Sequence, residues 1–329
     1  MSVSRLHETV VFIVFNRPQT TAAVFERIRA AQPERLLVIA DGPRLDRPND
    51  VSLCQQVRDI CQRIDWNCDA KFRFSETNLG CRKNVLEGLS WAFSQVERAI
   101  ILEDDCLPDP SFFPFCSELL THYQNDPFVG MISGDHFLDG RWQIEDSYYY
   151  SRFCHIWGWA TWRRAWEKMD PTMSDWPSLR INNWLENVTG KGPQFNYWKR
   201  MLDDSHTNKG GLNTWDVSWQ YACWKSKMAC IIPCTNLVKN LGFDHHATHT
   251  KADDWRANMT VTPMEFPLRH PKEKLVFKAA DDWSERHLYY GSSPAQRLFW
   301  SLRLPIPIRR ILQFKKVISR LFRLPEPHR

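Results

Sequence analysis

Three short apolar runs at 10–15, 36–40 and 100–102, and a fourth at 71–74 in which Phe alternates with Lys and Arg, alternate with stretches of helical periodicity at 19–31, 51–64 and 82–96. Alternation of this kind predicts βα units and a largely parallel sheet with helices packed on its faces. Each run stops at polar residues: Asn16 and Arg17 after the first, Asp41 and Gly42 after the second, Glu76 and Asn78 after the third, and Glu103, Asp104 and Asp105 after the fourth. In an open parallel sheet the carboxyl ends of the strands converge on one crevice, where ligands sit. The pattern therefore predicts a fold and the edge of that fold that carries function. Asn78-Leu79-Gly80 is read as the turn into the third helix.

The fourth strand end is the most telling. Adjacent carboxylates repel, so three of them at a strand end, with Pro108 and Pro110 just beyond, suit a chain that holds a cation. Magnesium or manganese bound by one or two carboxylates keeps positions open for water and for substrate phosphates. An acidic turn in water is the plainer alternative. No GxGxxG follows the first run and no GxxxxGK[ST] occurs anywhere, which argues against dinucleotide redox chemistry and P-loop phosphoryl transfer. Arg17 and Asp41 at neighbouring strand ends suit a phosphate and a base edge. Asp41-Gly42-Pro43 is equally an ordinary turn, and Arg17 equally a structural cation.

At 329 residues, with 43% hydrophobic and 25% charged residues, the chain has ordinary globular composition and enough length for one large sheet with insertions. The net charge of +5 is unevenly placed: residues 297–324 hold eight Lys or Arg and no acid, so the body is close to neutral and no nucleic-acid partner is expected of it. The ten cysteines lack the close pairing of a zinc site, whether at Cys54, Cys61 and Cys68 or at Cys230 and Cys234, and are read as reduced, mostly buried thiols. No charged-then-apolar leader and no apolar stretch near the ~18 residues of a membrane span is seen, so a cytoplasmic setting is expected. Sixteen tryptophans concentrate between Trp142 and Trp255, as core bulk or as platforms for sugar rings.

The second half has a different texture. A strand is predicted at 129–133, followed by Gly134, Asp135 and His136. Three tyrosines at 148–150 precede HIWGWATWRRAW at 155–166, in which Gly158 allows close backbone approach and 160–166 is predicted to open a helix. TWDVSW at 214–219 starts another helix running to Lys225. The tract 240–250 carries His245, His246 and His249, which are candidate metal ligands or simply solvated loop histidines.

Taken in order, VFNRP, ADGPR, ETNLG, IILEDDCLPDPSFF, WGWATW, TWDVSW and NLGFDHHATHT resemble bacterial nucleotide-sugar transferases of the GT-A fold and, more distantly, N-acetylglucosaminyltransferase I, over about residues 10–250. The resemblance implies an α/β fold with a mixed, Rossmann-like sheet flanked by helices. It implies a domain over 1–295, with 1–128 binding a nucleotide sugar and 129–295 an acceptor. By position, Asp105 would ligate a manganese or magnesium ion bridging the diphosphate, as in the family's DXD motif. Glu103 and Asp104 would touch the sugar or ribose, Arg17 and Asp41 the phosphate and uridine, and Asn78, Arg82, Trp157, Trp159 and Trp215 the substrates. His246 and His249 would be further metal ligands, by analogy with other GT-A enzymes. Asp216 matches the catalytic base, although an acid at a helix start is also an ordinary helix-stabilising residue. The implied activity is a metal-dependent, inverting transfer from a nucleoside diphosphate sugar, UDP-linked by analogy, to a glycan or lipid-linked glycan in surface polysaccharide assembly.

Residues 296–329 are read as a basic amphipathic tail. Helical phasing over 309–324 puts Arg309, Lys316, Arg320 and Arg323 on one face and Ile311, Phe314, Ile318 and Leu321 on the other. Such a helix suits an anionic membrane surface, and hence a peripheral position on the inner face; packing back on the domain is the alternative. Two rival functions stand beside glycosyl transfer. One is a nucleotide-sugar or glycan-binding protein without catalysis. The other is a sugar-phosphate nucleotidyltransferase, which would carry a Gly-rich basic loop after the first strand, where this chain has VFNRPQTT.

Overall fold

The alternation in the first third folds as β1 (Thr9–Val14), α1 (Pro18–Ala31), β2 (Arg35–Ala40), α2 (Asn49–Cys61), β3 (Asp69–Phe74), α3 (Cys81–Phe93) and β4 (Arg98–Glu103). These strands pair in parallel in the order β3-β2-β1-β4, with Val10 opposite both Leu36 and Ile100. Every residue of β1 is buried because the strand is central and covered on both faces. On one face Val10, Phe12 and Val14 share a core with Val24, Phe25 and Ile28 of α1, while on the other α3 comes so close that a Cβ at Gly88 would lie 2.5 Å from Ile39.

The computed structural model describes residues 5–138, 140–207, 213–243 and 255–290. The candidate ligands His246 and His249 and the tail at 296–329 lie outside the described residues. The remaining elements are β5 (Cys106–Pro108), α4 (Phe112–His122), β6 (Val129–Ser133), β7 (Tyr148–Ser151), β8 (Trp159–Trp162), α5 (Arg163–Trp166), α6 (Trp176–Ile181), α7 (Trp184–Thr189), α8 (Pro193–Thr207), α9 (Asp216–Lys225), β9 (Ala229–Pro233), β10 (Val238–Asn240) and α10 (Lys278–Ser284). They complete a mixed sheet of eight strands, β3-β2-β1-β4-β8-β6-β9-β7, in which β8 runs antiparallel to both of its neighbours and β7 antiparallel to β9. The fold is thus α/β, with a large, mostly parallel sheet flanked by helices.

One element differs from expectation. Residues 159–162 form a strand, and the helix begins only at Arg163. Ala160 sits between Ile100 of β4 and Ile132 of β6, so sheet pairing on both sides overrides alanine's helical preference. A second sheet is a two-stranded ribbon in which β10 pairs with β5, Val238 opposite Pro108 and Asn240 opposite Cys106. Pro108, expected only to interrupt the chain after the acids, is part of this ribbon.

The chain divides into two compact units, Met1–Pro171 with Thr214–Asp281, and Thr172–Asn213 with Asp282–Arg329. The second contains α6, α7 and α8; inside it the Trp176 indole N–H donates to Asp203 at 3.0 Å and the Trp198 ring lies 4.8 Å from that of Tyr289. Among the described residues no helix is long and apolar enough to cross a membrane.

At the amino end of the sheet, Arg98 makes a bidentate pair with buried Glu8, its Nη2 2.7 Å from Oε1 and its Nε 2.9 Å from Oε2. Removing the guanidinium leaves a buried carboxylate without its counter-charge. Arg98→Ala is expected to lower unfolding stability by about 3 kcal/mol in chemical denaturation, with part of the loss recovered in the double variant Arg98→Ala, Glu8→Gln.

Candidate active site

The carboxyl ends of β1, β2 and β4 converge as the sequence predicts. β4 ends in Glu103, and the chain continues through Asp104 and Asp105 into β5. Asp104 turns back to accept the Phe15 backbone N–H at 3.1 Å. Arg17, just ahead of α1, donates from Nη1 to Asp105 Oδ2 at 2.8 Å and lies 3.7 Å from Asp104 Oδ1. One guanidinium therefore faces two carboxylates. The third, on Glu103, makes no hydrogen bond or ion pair among the described residues. Burial, followed by the charges of Asp105, Asp104 and Asp216, pushes the Glu103 carboxyl up to about 8, and burial with the neighbouring Asp105 pushes Asp104 up to about 7.

Three carboxyl groups beside one guanidinium make an all-oxygen donor set, which fits a hard divalent cation. Among the described residues no group of three or more His, Cys, Asp or Glu side chains is disposed to hold a metal ion by itself. A cation here would take one or two carboxylates and complete its shell with water and substrate oxygens. The β5–β10 ribbon brings the 240–243 tract onto the acids: the Leu241 N–H donates to the Asp105 carbonyl at 2.7 Å, and a Cβ at position 242 would stand 2.3 Å from Asp105 Oδ2. Gly242 lets the carboxylate occupy that space.

Asp41 and Asn78 reach the same edge in a framework arrangement. Asp41 Oδ1 accepts the N–H groups of Gly42 and Leu79, both at 2.8 Å, and Oδ2 accepts the Gly80 N–H and the Asn78 amide, both at 3.0 Å. Asn78 also donates to the Gly42 carbonyl at 2.9 Å. Together they clasp the end of β2 to the start of α3. Arg82, the second residue of α3, donates to the carbonyls of Thr214 at 2.9 Å and Pro171 at 2.7 Å, and so tethers the turn that leads into α9. Cys81, which is exposed, begins α3 beside the clasp. Nothing in the sequence marks Cys81, because the clasp delivers it.

Asp216 is the first residue of α9. Its Oδ1 accepts the Val217 N–H at 3.0 Å and the Thr214 hydroxyl, while its other oxygen takes no hydrogen bond among the described residues. Its charge acts on Glu103, which places it at the acid cluster.

The tryptophans separate into two roles. Trp159 and Trp215 are 1% and 2% exposed and stack on each other at 5.3 Å, with Trp166 and Trp219 around them. Buried indoles offer no face to a ligand, so the platform expected of these two gives way to a core role, and that core fixes the residue before Asp216. Trp157 is half-buried. Its backbone N–H donates to Asp135 at 3.3 Å, and its ring meets Phe137 at 5.0 Å and Phe243 at 5.5 Å. Neither phenylalanine was singled out as a candidate in the sequence; each meets Trp157 through the fold.

No protein-family model matches the chain, and no curated protein matches it. Among solved structures it is similar to a UDP-glucose pyrophosphorylase complexed with UDP-glucose, at 11% identity and a TM-score of 0.34 over 69% of this chain and 90% of that one. It is also similar to a cytidylyltransferase from Leptospira borgpetersenii serovar Hardjo-bovis, at 11% and 0.32 over 55% and 71%, and to TarS of S. aureus, at 10% and 0.32 over 47% of each chain. At these scores the likenesses assign neither a family nor an activity, and the chain's own residues carry the functional conclusion.

The clasp makes a direct prediction. Asp41→Ala removes an acceptor from three backbone N–H groups, each costing about 1–3 kcal/mol if left buried and unpaired. The melting temperature should fall, and amide exchange at Leu79 and Gly80 should accelerate relative to the β1 core. Unchanged protection at both amides would show that Asp41 does not hold this junction.

Proposed function

We propose that this protein is a metal-dependent, inverting glycosyltransferase that moves a sugar from a nucleoside diphosphate sugar to a hydroxyl of a glycan acceptor. The observation that carries the reading is the convergence of Glu103, which has no hydrogen bond or ion pair among the described residues, an Asp104–Asp105 pair bridged by Arg17, and Asp216, whose second carboxylate oxygen takes no hydrogen bond among the described residues and whose charge acts on Glu103. The order of motifs that resembles GT-A transferases supports the same reading.

Arg17 stands where it can turn from Asp105 to a phosphate, since a guanidinium pairs with either anion in the same planar geometry. Asp105, at the mouth of the cluster, is the ligand proposed for the cation, with Glu103 and Asp104 directed to the sugar and ribose hydroxyls. A divalent ion bound there would offset the charge that builds on the departing diphosphate. Asp216 would accept the proton of the acceptor hydroxyl through its spare oxygen. The acceptor's hydroxyl oxygen, losing its proton to Asp216, attacks the anomeric carbon as the bond to the diphosphate breaks, the leaving group keeps the electron pair, and a single displacement inverts the centre. The nucleotide is taken as uridine from the resemblance. A lipid-linked acceptor and a membrane-bound tail belong to the same proposal.

Two substitutions test it. Asp105→Ala should abolish turnover and manganese-dependent nucleotide affinity while leaving the melting temperature near that of the parent, because a strand-end carboxylate is not core packing. Full turnover in EDTA would overturn the metal assignment. Asp216→Asn keeps the size and the Val217 contact but cannot take up a proton; kcat should fall roughly 10²–10⁴-fold with donor affinity nearly unchanged. A product that retains the donor's anomeric configuration, read by NMR, would exclude the single displacement.

A further inference from the structure

We infer that Thr214 is a positioning residue for the proposed base: its hydroxyl fixes the Asp216 carboxylate and decides which of the two oxygens receives the proton. The inference rests on the glycosyl-transfer reading and deepens its proton-transfer step. Two donors reach the carboxylate, the Thr214 hydroxyl and the Val217 N–H, and both go to Oδ1, while Oδ2 takes no hydrogen bond among the described residues. An oxygen that accepts two bonds shares its lone pairs with the framework, and its twin keeps them for an incoming hydroxyl. The Val217 N–H cannot impose this by itself. The terminal torsion of an aspartate is broad and two-fold, so a carboxylate held by one bond exchanges its oxygens by rotation. A second donor, from two residues upstream, removes that equivalence.

The hydroxyl is in turn well held. Thr214 is half-buried, and its β-branched side chain has few χ1 states to choose from. Its carbonyl accepts from Arg82 Nη1 at 2.9 Å, and Nη2 of the same guanidinium donates to the Pro171 carbonyl at 2.7 Å, which ties the backbone at 214 to α3. The next residue, Trp215, is 2% exposed and stacks at 5.3 Å on Trp159 of β8, which ties the following step of the chain to the sheet. Its carbonyl accepts the Trp219 N–H at 3.2 Å, inside α9. The charge of Asp216 acts on Arg82 as well as on Glu103, so the carboxylate has a cation and an acid within reach and gains from a fixed orientation. Thr214 therefore carries the rigidity of α3 and the sheet to one oxygen atom, and a base held in this way is organised before the acceptor arrives.

The test uses the full chain with manganese, with UDP-glucose, UDP-galactose and UDP-N-acetylglucosamine as donors and water as the acceptor, whose proton the same base would take. Thr214→Val is nearly the size of the parent side chain; it should keep the melting temperature and the Kd for UDP while kcat for UDP release falls about 10- to 100-fold. Thr214→Ser, which keeps the hydroxyl, should restore most of the rate. Added to Asp216→Asn, Thr214→Val should cost nothing further, because a residue that acts through the base has no effect once the base is gone. Three-bond NMR couplings to the Asp216 Cγ read its χ1 rotamer without any turnover: one rotamer is expected in the parent and in Thr214→Ser, and averaging in Thr214→Val. A parental kcat in Thr214→Val, a loss that Thr214→Ser does not relieve, an equal loss in the Asp216→Asn background, or a single Asp216 rotamer in Thr214→Val overturns the inference. The two levels separate on the same samples. A slow Asp216→Asn beside a normal Thr214→Val removes the positioning role and leaves the transfer reading standing, whereas no manganese-dependent UDP binding in the parent removes that reading and the inference with it.

Discussion

Three carboxylates and one guanidinium at the end of β4 set the terms for everything around them. Glu103, Asp104 and Asp105 stand where parallel strands stop, close enough to one another and to Asp216 that burial and mutual repulsion hold two of them above the usual carboxylate range. Arg17 can answer only part of that charge. Such an arrangement persists only if the rest of the structure holds it in place, because each acid would be better solvated in open water. The parallel pairing of β1 with β4 supplies that constraint by fixing Phe15, and with it Arg17, against Asp104.

The walls of the crevice are then built by contacts that are not themselves chemical. Asp41 accepts three backbone N–H groups and one side-chain amide to bind the end of β2 to α3. Arg82 carries that rigidity across to Thr214, and the stack of Trp159 on Trp215 completes it, so that Asp216 is presented by a helix whose first turn is anchored on two sides. The antiparallel ribbon of β5 and β10 brings Leu241 and Gly242 to Asp105. Positioning of this kind matters because proton transfer and displacement tolerate little misplacement of the reacting groups.

Much of this edge was legible in the sequence. The alternation of short apolar runs with helical stretches specifies a parallel sheet, and the polar residues that stop each run name its functional edge, because both follow from local periodicity and from the rule that strand ends open to the crevice. Asp105 and Arg17 come from that reasoning and lie 2.8 Å apart, whereas Asp216 came from the motif resemblance. The distinction between Trp157 and Trp159 does not. They lie two residues apart in the same motif; α9 with Trp215 covers one, and the sheet edge leaves the other half-buried. Asp41 was read as a ligand contact or an ordinary turn, and its clasp on Leu79 and Gly80 spans a separation that no local pattern encodes. The strand at 159–162 was missed for a related reason: alanine favours a helix in isolation, and only the neighbours on both sides make it a strand.

By itself, then, the sequence determined which residues could carry charge, where strands would begin and end, and which sheet edge would gather the acids, since these depend on side-chain chemistry and short-range periodicity. The tertiary structure decided which of those residues are held by framework bonds and which keep an unpartnered oxygen or an exposed ring. That choice rests on contacts between residues far apart in the chain, such as Asp41 with Gly80, 39 residues on, and Asp105 with Leu241, 136 residues on. Burial and hydrogen-bond satisfaction are properties of the assembled fold, and they separate a clasp from a site.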